Sequence, residues 1–160
     1  MNIKKASAED LTEILAVYET ARAFMAENGN PTQWAGGYPS KELLCEDIKR
    51  QKLYILEEDG VTEGAFFFSE GPDPTYEYIK GNWLNELPYS VIHRVASRGK
   101  KRGILKLIVD FCLEVSNNIK IDTHEDNIVM QKALEKSGFV KCGTIYLENG
   151  EERIAYQVTK

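Results

Sequence analysis

Three cations and a glycine stand together at Lys100, Lys101, Arg102 and Gly103, between an apolar run with strand character (residues 89–96) and one with helical character (residues 104–115). A strand that ends in positive charge and glycine and then opens a helix offers unpaired backbone N–H groups and cations together, which suits a phosphate or pyrophosphate. Taken alone the pattern has a plainer meaning, because Lys and Arg after a strand commonly form a solvated turn. A second segment changes the balance. Ile119, Lys120, Ile121, Asp122, Thr123 and His124 lead through Glu125, Asp126 and Asn127 into another helical run, residues 128–137, followed by Gly138 and Phe139. Asn127 stands where it caps that helix and Gly138 where it ends it. Two successive strand-to-helix turns can flank one ligand, read here as a nucleotide cofactor.

The spacing within these turns is specific. Val95 precedes Gly103 by eight residues, and Asn127 is followed eleven and twelve residues later by Gly138 and Phe139. On these residues the chain resembles the GNAT family of N-acetyltransferases, closely over residues 89–156 and loosely elsewhere. That family's cofactor turn follows its fourth strand and carries Gln or Arg, two free positions, Gly, one free position, then Gly or Ala. The resemblance implies acetyl-CoA as co-substrate and no metal. It implies that Lys100, Lys101, Arg102, Gly103, Ile104 and Leu105 take the pyrophosphate, that the pantetheine arm runs along Val95, Ala96 and Ser97, and that Asn127 belongs to the same cofactor set. A backbone N–H near Val95 would then serve as the oxyanion donor. The chain departs from the family in three places. Lys100 replaces Gln or Arg and keeps the charge without the planar fork. Leu105 replaces Gly or Ala and crowds the backbone. Leu134, seven residues after Asn127, stands where many members carry the tyrosine that protonates the departing thiolate.

An amine must be neutral before it attacks a thioester, so a proton acceptor is expected near the reacting carbon. The chain has two histidines. His93 lies two residues before Val95, which on a regular strand is the same face; His124 ends the next strand. Each has a plainer role available, His93 as a hydrogen-bonded core side chain and His124 as the organiser of the turn at Asp126 and Asn127. Tyr146 could supply the missing acid or simply pack across strands. The loop bearing Gln33, Trp34 and Tyr38 has more aromatic surface than a connector needs, and the resemblance implies part of an acceptor pocket there, although Trp34 would equally anchor two helices. Asp122 and His124 have no third ligand at metal spacing, so no metal is expected.

The elements that must position these residues are legible in outline. Asn2 to Lys5 form a first strand; Ser7 with Glu9 and Asp10 opens a helix whose buried face is Leu11, Ile14, Leu15, Tyr18, Ala21 and Met25. Ser40 caps a second helix to about Arg50, with Leu43, Leu44 and Ile48 inward. Residues 53–57 and 61–68 form a hairpin at Asp59 and Gly60, and residues 140–147 and 153–158 another at Asn149 and Gly150. Residues 76–86 suit either a short helix or a covering loop. The expected fold is a mixed α/β (α+β) sheet of about seven strands, mostly antiparallel and twisted, with helices on both faces and, as the family resemblance implies, splayed central parallel strands.

With 160 residues, 42% of them hydrophobic, the expectation is one domain, residues 1–160. Three dispersed cysteines indicate neither a disulfide framework nor a zinc site, and no signal segment or membrane span is apparent, so the expected location is the cytoplasm. A net charge of -5 argues against nucleic acid as partner and is compatible with a cationic amine. The sequence thus points to an enzyme, monomer or homodimer, that passes acetyl directly to an amine of a small molecule or peptide. The alternative is a catalytically weak acyl-CoA-binding or sensing module, suggested by Leu134. Other nucleotide-binding α/β domains fit poorly, since neither G-x-G-x-x-G nor a P-loop occurs.

Overall fold

Capping and turn chemistry fix most element boundaries. A computed structural model describes residues 1–160, and the chain divides into two compact units, Met1–Phe68 with His93–Ile104, and Ser69–Ile92 with Leu105–Lys160. In the first unit, β1 (Asn2–Lys5) pairs antiparallel with β2 (Leu53–Glu58), and β2 with β3 (Val61–Glu70). The connecting Asp59 and Gly60 have φ of 52° and 79°, the two left-handed residues that a tight hairpin of this twist requires. The Ser7 N–H donates to the Asp10 carboxylate at 2.8 Å and its hydroxyl does so at 3.1 Å, which leads the chain through a short 3₁₀ turn into α1 (Leu11–Glu27). Ile14, Val17, Tyr18 and Ala21 recur at helical spacing and are buried. The Ser40 hydroxyl accepts the Leu43 N–H at 3.1 Å and starts α2 (Lys41–Lys49), which buries Leu44 and, one turn on, Asp47. Leu53, Ile55 and Ala65 complete this core from the strands.

β5 (Ser90–Ser97) is the neighbour of β3 in the strand order and contributes its residues from His93 onward to the first unit. Its first residues belong to the second unit, where Ser90 and Val91 pair in parallel with Ile119 and Lys120 of β6 (Asn118–Thr123). β6 pairs antiparallel with β8 (Glu152–Thr159), β8 with β7 (Val140–Tyr146), and β7 with β4 (Lys80–Gly81). The strand order is β1-β2-β3-β5-β6-β8-β7-β4, a mixed α/β fold with an open, mostly antiparallel eight-stranded sheet. α3 (Ile104–Val115) follows the cationic turn. α4 (Ile128–Lys136) is capped by Asn127, whose Oδ1 accepts the Met130 N–H at 3.0 Å. It ends with Gly138 at φ 95° and the Phe139 N–H on the Leu134 carbonyl at 3.0 Å, the closure for which a left-handed glycine is needed. No helix is long and apolar enough to cross a membrane.

The sheet has eight strands, in keeping with the expected count of about seven, and the added one is β4. β4 lies inside the segment that the sequence left between helix and loop, and its pairing depends on a distant glycine. A Cβ on Gly81 would collide with the Cys142 carbonyl, and one on Gly143 with the Lys80 carbonyl, so two glycines are what let these backbones meet. The rest of the segment is held by polar anchors: Tyr76 donates to Asp122 at 2.7 Å, the Trp83 indole to the Tyr76 carbonyl at 3.0 Å, and the Leu84 N–H to Gln157 at 2.8 Å.

Trp83 and Tyr89 enclose Lys120, whose Nζ lies 4.0 and 3.9 Å from their ring centroids while the residue is 4% exposed. Burial lowers the pKa of this amine. The folded chain therefore binds its proton less tightly than the unfolded chain, and stability rises with pH from the lowered value up to the ordinary lysine value. The expected outcome for Lys120→Met is a gain of about 1 kcal/mol at neutral pH, because the desolvated charge is removed, together with loss of that alkaline rise. Urea midpoints from pH 7 to 10 check both; an unchanged slope would show that another group carries it.

Candidate functional site

β5 does not run straight through its own middle. Arg94 has a φ of 53°, a left-handed backbone that a non-glycine residue adopts rarely and that interrupts the two-residue alternation of a strand. The inference that His93 and Val95 share a face fails for this reason. The consecutive residues His93 and Arg94 instead both address Phe67 of β3: the histidine ring lies 5.8 Å from the phenyl centroid and the guanidinium carbon 4.5 Å from it.

Arg94 is held on every side. Its Nε donates to Asp47 Oδ2 at 3.0 Å and its Nη2 pairs with the same oxygen at 2.9 Å, its Nη1 donates to the Tyr38 hydroxyl at 3.2 Å, and its carbonyl accepts the Tyr18 hydroxyl at 2.6 Å. Asp47 is 2% exposed. Burial raises its carboxyl above the usual range, and Arg94, by charge and hydrogen bond, draws it back, with lesser pulls from Arg50 and His93. Burial likewise pushes the Tyr18 phenol far up, so it is a donor throughout the accessible pH range. Trp34 packs on the core, 5.7 Å from Tyr18 and 6.4 Å from Tyr38. The Tyr38 ring is exposed and its carbonyl accepts from Arg22 at 3.3 Å; Gln33 Oε1 accepts the Asn30 amide at 2.9 Å. The first unit thus gathers Trp34, Tyr38, Asp47, Phe67, His93 and Arg94 at the kink in β5.

Beyond the kink, the strand leads into the cationic turn. Ala96 is buried, and a Cβ on Gly64 would stand 2.9 Å from its carbonyl, so Gly64 permits this approach of β3. Arg98 fastens the strand end: its N–H donates to the Glu63 carbonyl at 3.0 Å, its Nε to the Thr62 carbonyl at 2.6 Å, and its guanidinium pairs with Glu13. The Ser97 hydroxyl accepts the Gly99 N–H at 2.9 Å. Then Lys100, Lys101, Arg102 and Gly103 are all exposed, and buried Ile104 re-enters the core. Lys101 alone has a carboxylate partner, Glu58 at 3.2 Å, in a solvated pair. Gly103 has φ 74° with nothing within 4 Å of a Cβ built on it. An open backbone beside exposed cations matches the requirements of a pyrophosphate.

No family sequence model matches the chain, and no curated protein sequence does. Solved structures do match. An acetyltransferase of the GNAT family from Streptococcus agalactiae is 30% identical, with 99% of this chain and 95% of that one covered and a TM-score of 0.91. The chain belongs to the GNAT family of acetyltransferases. Two further structures agree in fold: a GNAT acetyltransferase from Bacillus cereus (21% identity, 99% and 96% covered, TM-score 0.64) and a ribosomal-protein-alanine N-acetyltransferase from Brucella melitensis (16% identity, 100% of both covered, TM-score 0.64).

The remaining positions singled out in the sequence lie in the second unit. Leu105 is half-buried, and Asn127 caps α4. Leu134 is wholly buried. His124 Nδ1 accepts the Asp126 N–H at 2.9 Å, so this ring organises its own turn. Tyr146 stacks with Tyr78 at 6.0 Å between centroids, a packing contact. Sequence reasoning missed Asp47 and Arg94. Their signals were an acid on the inward face of α2, three residues after Leu44, and a cation interrupting an apolar strand.

A desolvated pair of this kind is costly to break from one side. Asp47→Ala is expected to destabilise the protein by about 3 kcal/mol, because Arg94 stays buried without its counter-ion, and adding Arg94→Met should recover about half of that loss. Urea unfolding of both variants checks this; a wild-type midpoint for Asp47→Ala would show that water reaches the pair.

Proposed function

We propose that this GNAT protein uses acetyl-CoA and passes its acetyl group directly to an amine of a small molecule or peptide. The observation that carries this reading is the pairing, within one unit, of the exposed cationic glycine turn with the aromatic and charged cluster at the β5 kink. Acetyl-CoA supplies the acyl thioester. Lys100, Lys101 and Arg102 neutralise its phosphates, while the open backbone at Gly103 and the start of α3 at Ile104 offer N–H donors. The edge formed by Val95, Ala96 and Ser97 aligns the acyl arm, with the Val95 N–H directed at the acyl oxygen. Leu105 and Asn127 are proposed for cofactor binding from the family motif positions alone.

Trp34 and Tyr38 shape the acceptor side, and Gln33 of the same loop is held by the Asn30 amide. Of the two histidines, we assign the proton acceptor for the amine to His93, because it stands beside Arg94 on Phe67 in the same unit as the cationic turn, whereas His124 organises its own turn through Asp126. A second reading, an acyl-CoA-sensing module with little turnover, draws on Leu134, since a buried leucine occupies the position of the family's usual acid.

Acetyl-CoA and CoA, and not ATP, are expected to raise the thermal midpoint of the protein. Gly103→Asp places a carboxylate where the pyrophosphate is proposed to lie; aspartate tolerates left-handed backbone, so the fold should survive while affinity for CoA falls roughly tenfold or more. Unaltered affinity would remove the turn from the binding site. Thiol release with a panel of amines separates the two readings: cofactor binding without any release favours the sensing module.

A further inference from the structure

A left-handed, non-glycine residue inside a strand is strained and persists only where its surroundings over-determine it. Around Arg94 they do so twice. The side chain is gripped by Asp47, Tyr38 and the Phe67 face. The main chain is gripped separately, by the wholly buried Tyr18, whose hydroxyl donates to the Arg94 carbonyl at 2.6 Å. Core packing alone would be met by phenylalanine at this position of α1. The hydroxyl adds one thing, a fixed direction for that carbonyl.

The consequence follows from peptide geometry. The Arg94 carbonyl and the Val95 N–H lie in one rigid plane and, across a trans bond, point in opposite directions. Whatever fixes the carbonyl therefore aims the N–H. We propose that Tyr18 is a positioning residue for acetyl transfer: by holding the Arg94 carbonyl on one side of the peptide plane, its phenol directs the Val95 N–H on the other side toward the acyl oxygen. This rests on the function proposed above. It adds to that function a residue on α1 that touches neither substrate.

The test is Tyr18→Phe in the full chain, with two readouts. In the ligand-free protein, amide hydrogen exchange at Val95 is expected to rise about tenfold or more as the peptide plane is released. In turnover, kcat should fall roughly 10- to 100-fold, the range for a misaligned oxyanion donor, while the CoA concentration for half-maximal thermal shift changes less than about threefold. Incorporating p-aminophenylalanine at position 18 keeps a donor and should restore both readouts; it also serves if the phenylalanine variant does not fold, since a conservative donor that restores folding without restoring kcat would overturn the proposal. Unchanged Val95 exchange would overturn it, as would a fall in kcat matched by an equal loss of CoA affinity. Failure of the wild-type protein to bind CoA would instead sink the functional reading, and the exchange measurement would still decide whether Tyr18 holds the peptide plane.

Discussion

A buried carboxylate and a largely covered guanidinium, 2.9 Å apart, fix the relation between α2 and the kinked half of β5. Such a pair contributes little net stability, because the desolvation of two ions offsets most of their attraction. What it supplies is uniqueness of geometry. Arg94 cannot leave without stranding the buried Asp47 carboxylate, so helix, strand and aromatic loop share one arrangement. The left-handed backbone of Arg94 is tolerable only inside that arrangement, and the convergence of His93 and Arg94 on Phe67 depends on it in turn.

The cationic turn manages charge in the opposite way. Lys100 and Arg102 are left exposed, and the Lys101 pair with Glu58 is open to solvent, where an ion pair contributes about 0–1 kcal/mol. An incoming phosphate would displace little. The net charge of -5 is spread over the whole chain, and salt screens exposed charges beyond a Debye length of about 8 Å at physiological ionic strength, so the local cluster sets the field that an anion meets. Rigid neighbours keep this exposed turn in place: Arg98 is tied to two backbone carbonyls and Glu13 on one side, and Ile104 is buried on the other.

Elements governed by local chemistry were legible in the sequence. The caps at Ser40 and Asn127, the closure at Gly138, the hairpin at Asp59 and Gly60 and the full extent of α3 all follow from residues within a few positions of each other. The cationic turn and the aromatic loop were legible for the same reason. Features that depend on distant partners were not. β4 exists because Gly81 meets Gly143; Asp47 is buried because Arg94 reaches it; and the shared face assigned to His93 and Val95 presumed a regular strand, which the left-handed Arg94 breaks. Part of the candidate site, the cationic turn and the aromatic loop, stands out in the sequence, whereas Asp47, Arg94 and the geometry around them depend on contacts between α1, α2 and β5 that no local pattern encodes.

The buried leucine at position 134 bears on how such a site could turn over. It is wholly buried, and its carbonyl closes the end of α4 through the Phe139 N–H, so this position packs a helix and is not open for proton transfer. Losing a general acid there costs less than it would for a poorer leaving group. A simple thiol has an ordinary pKa of about 8.5, so a departing thiolate is tolerably stable near neutral pH and can collect its proton from water. The demanding protonic step is the other one, removal of a proton from a cationic amine, together with stabilisation of charge on the acyl oxygen. Under the proposed function both demands would fall on the kinked strand, the first on His93 beside the Asp47 and Arg94 pair, the second on the peptide plane whose carbonyl accepts from Tyr18. On that proposal the catalytic means are concentrated on β5, and the leaving thiolate takes its proton from solvent.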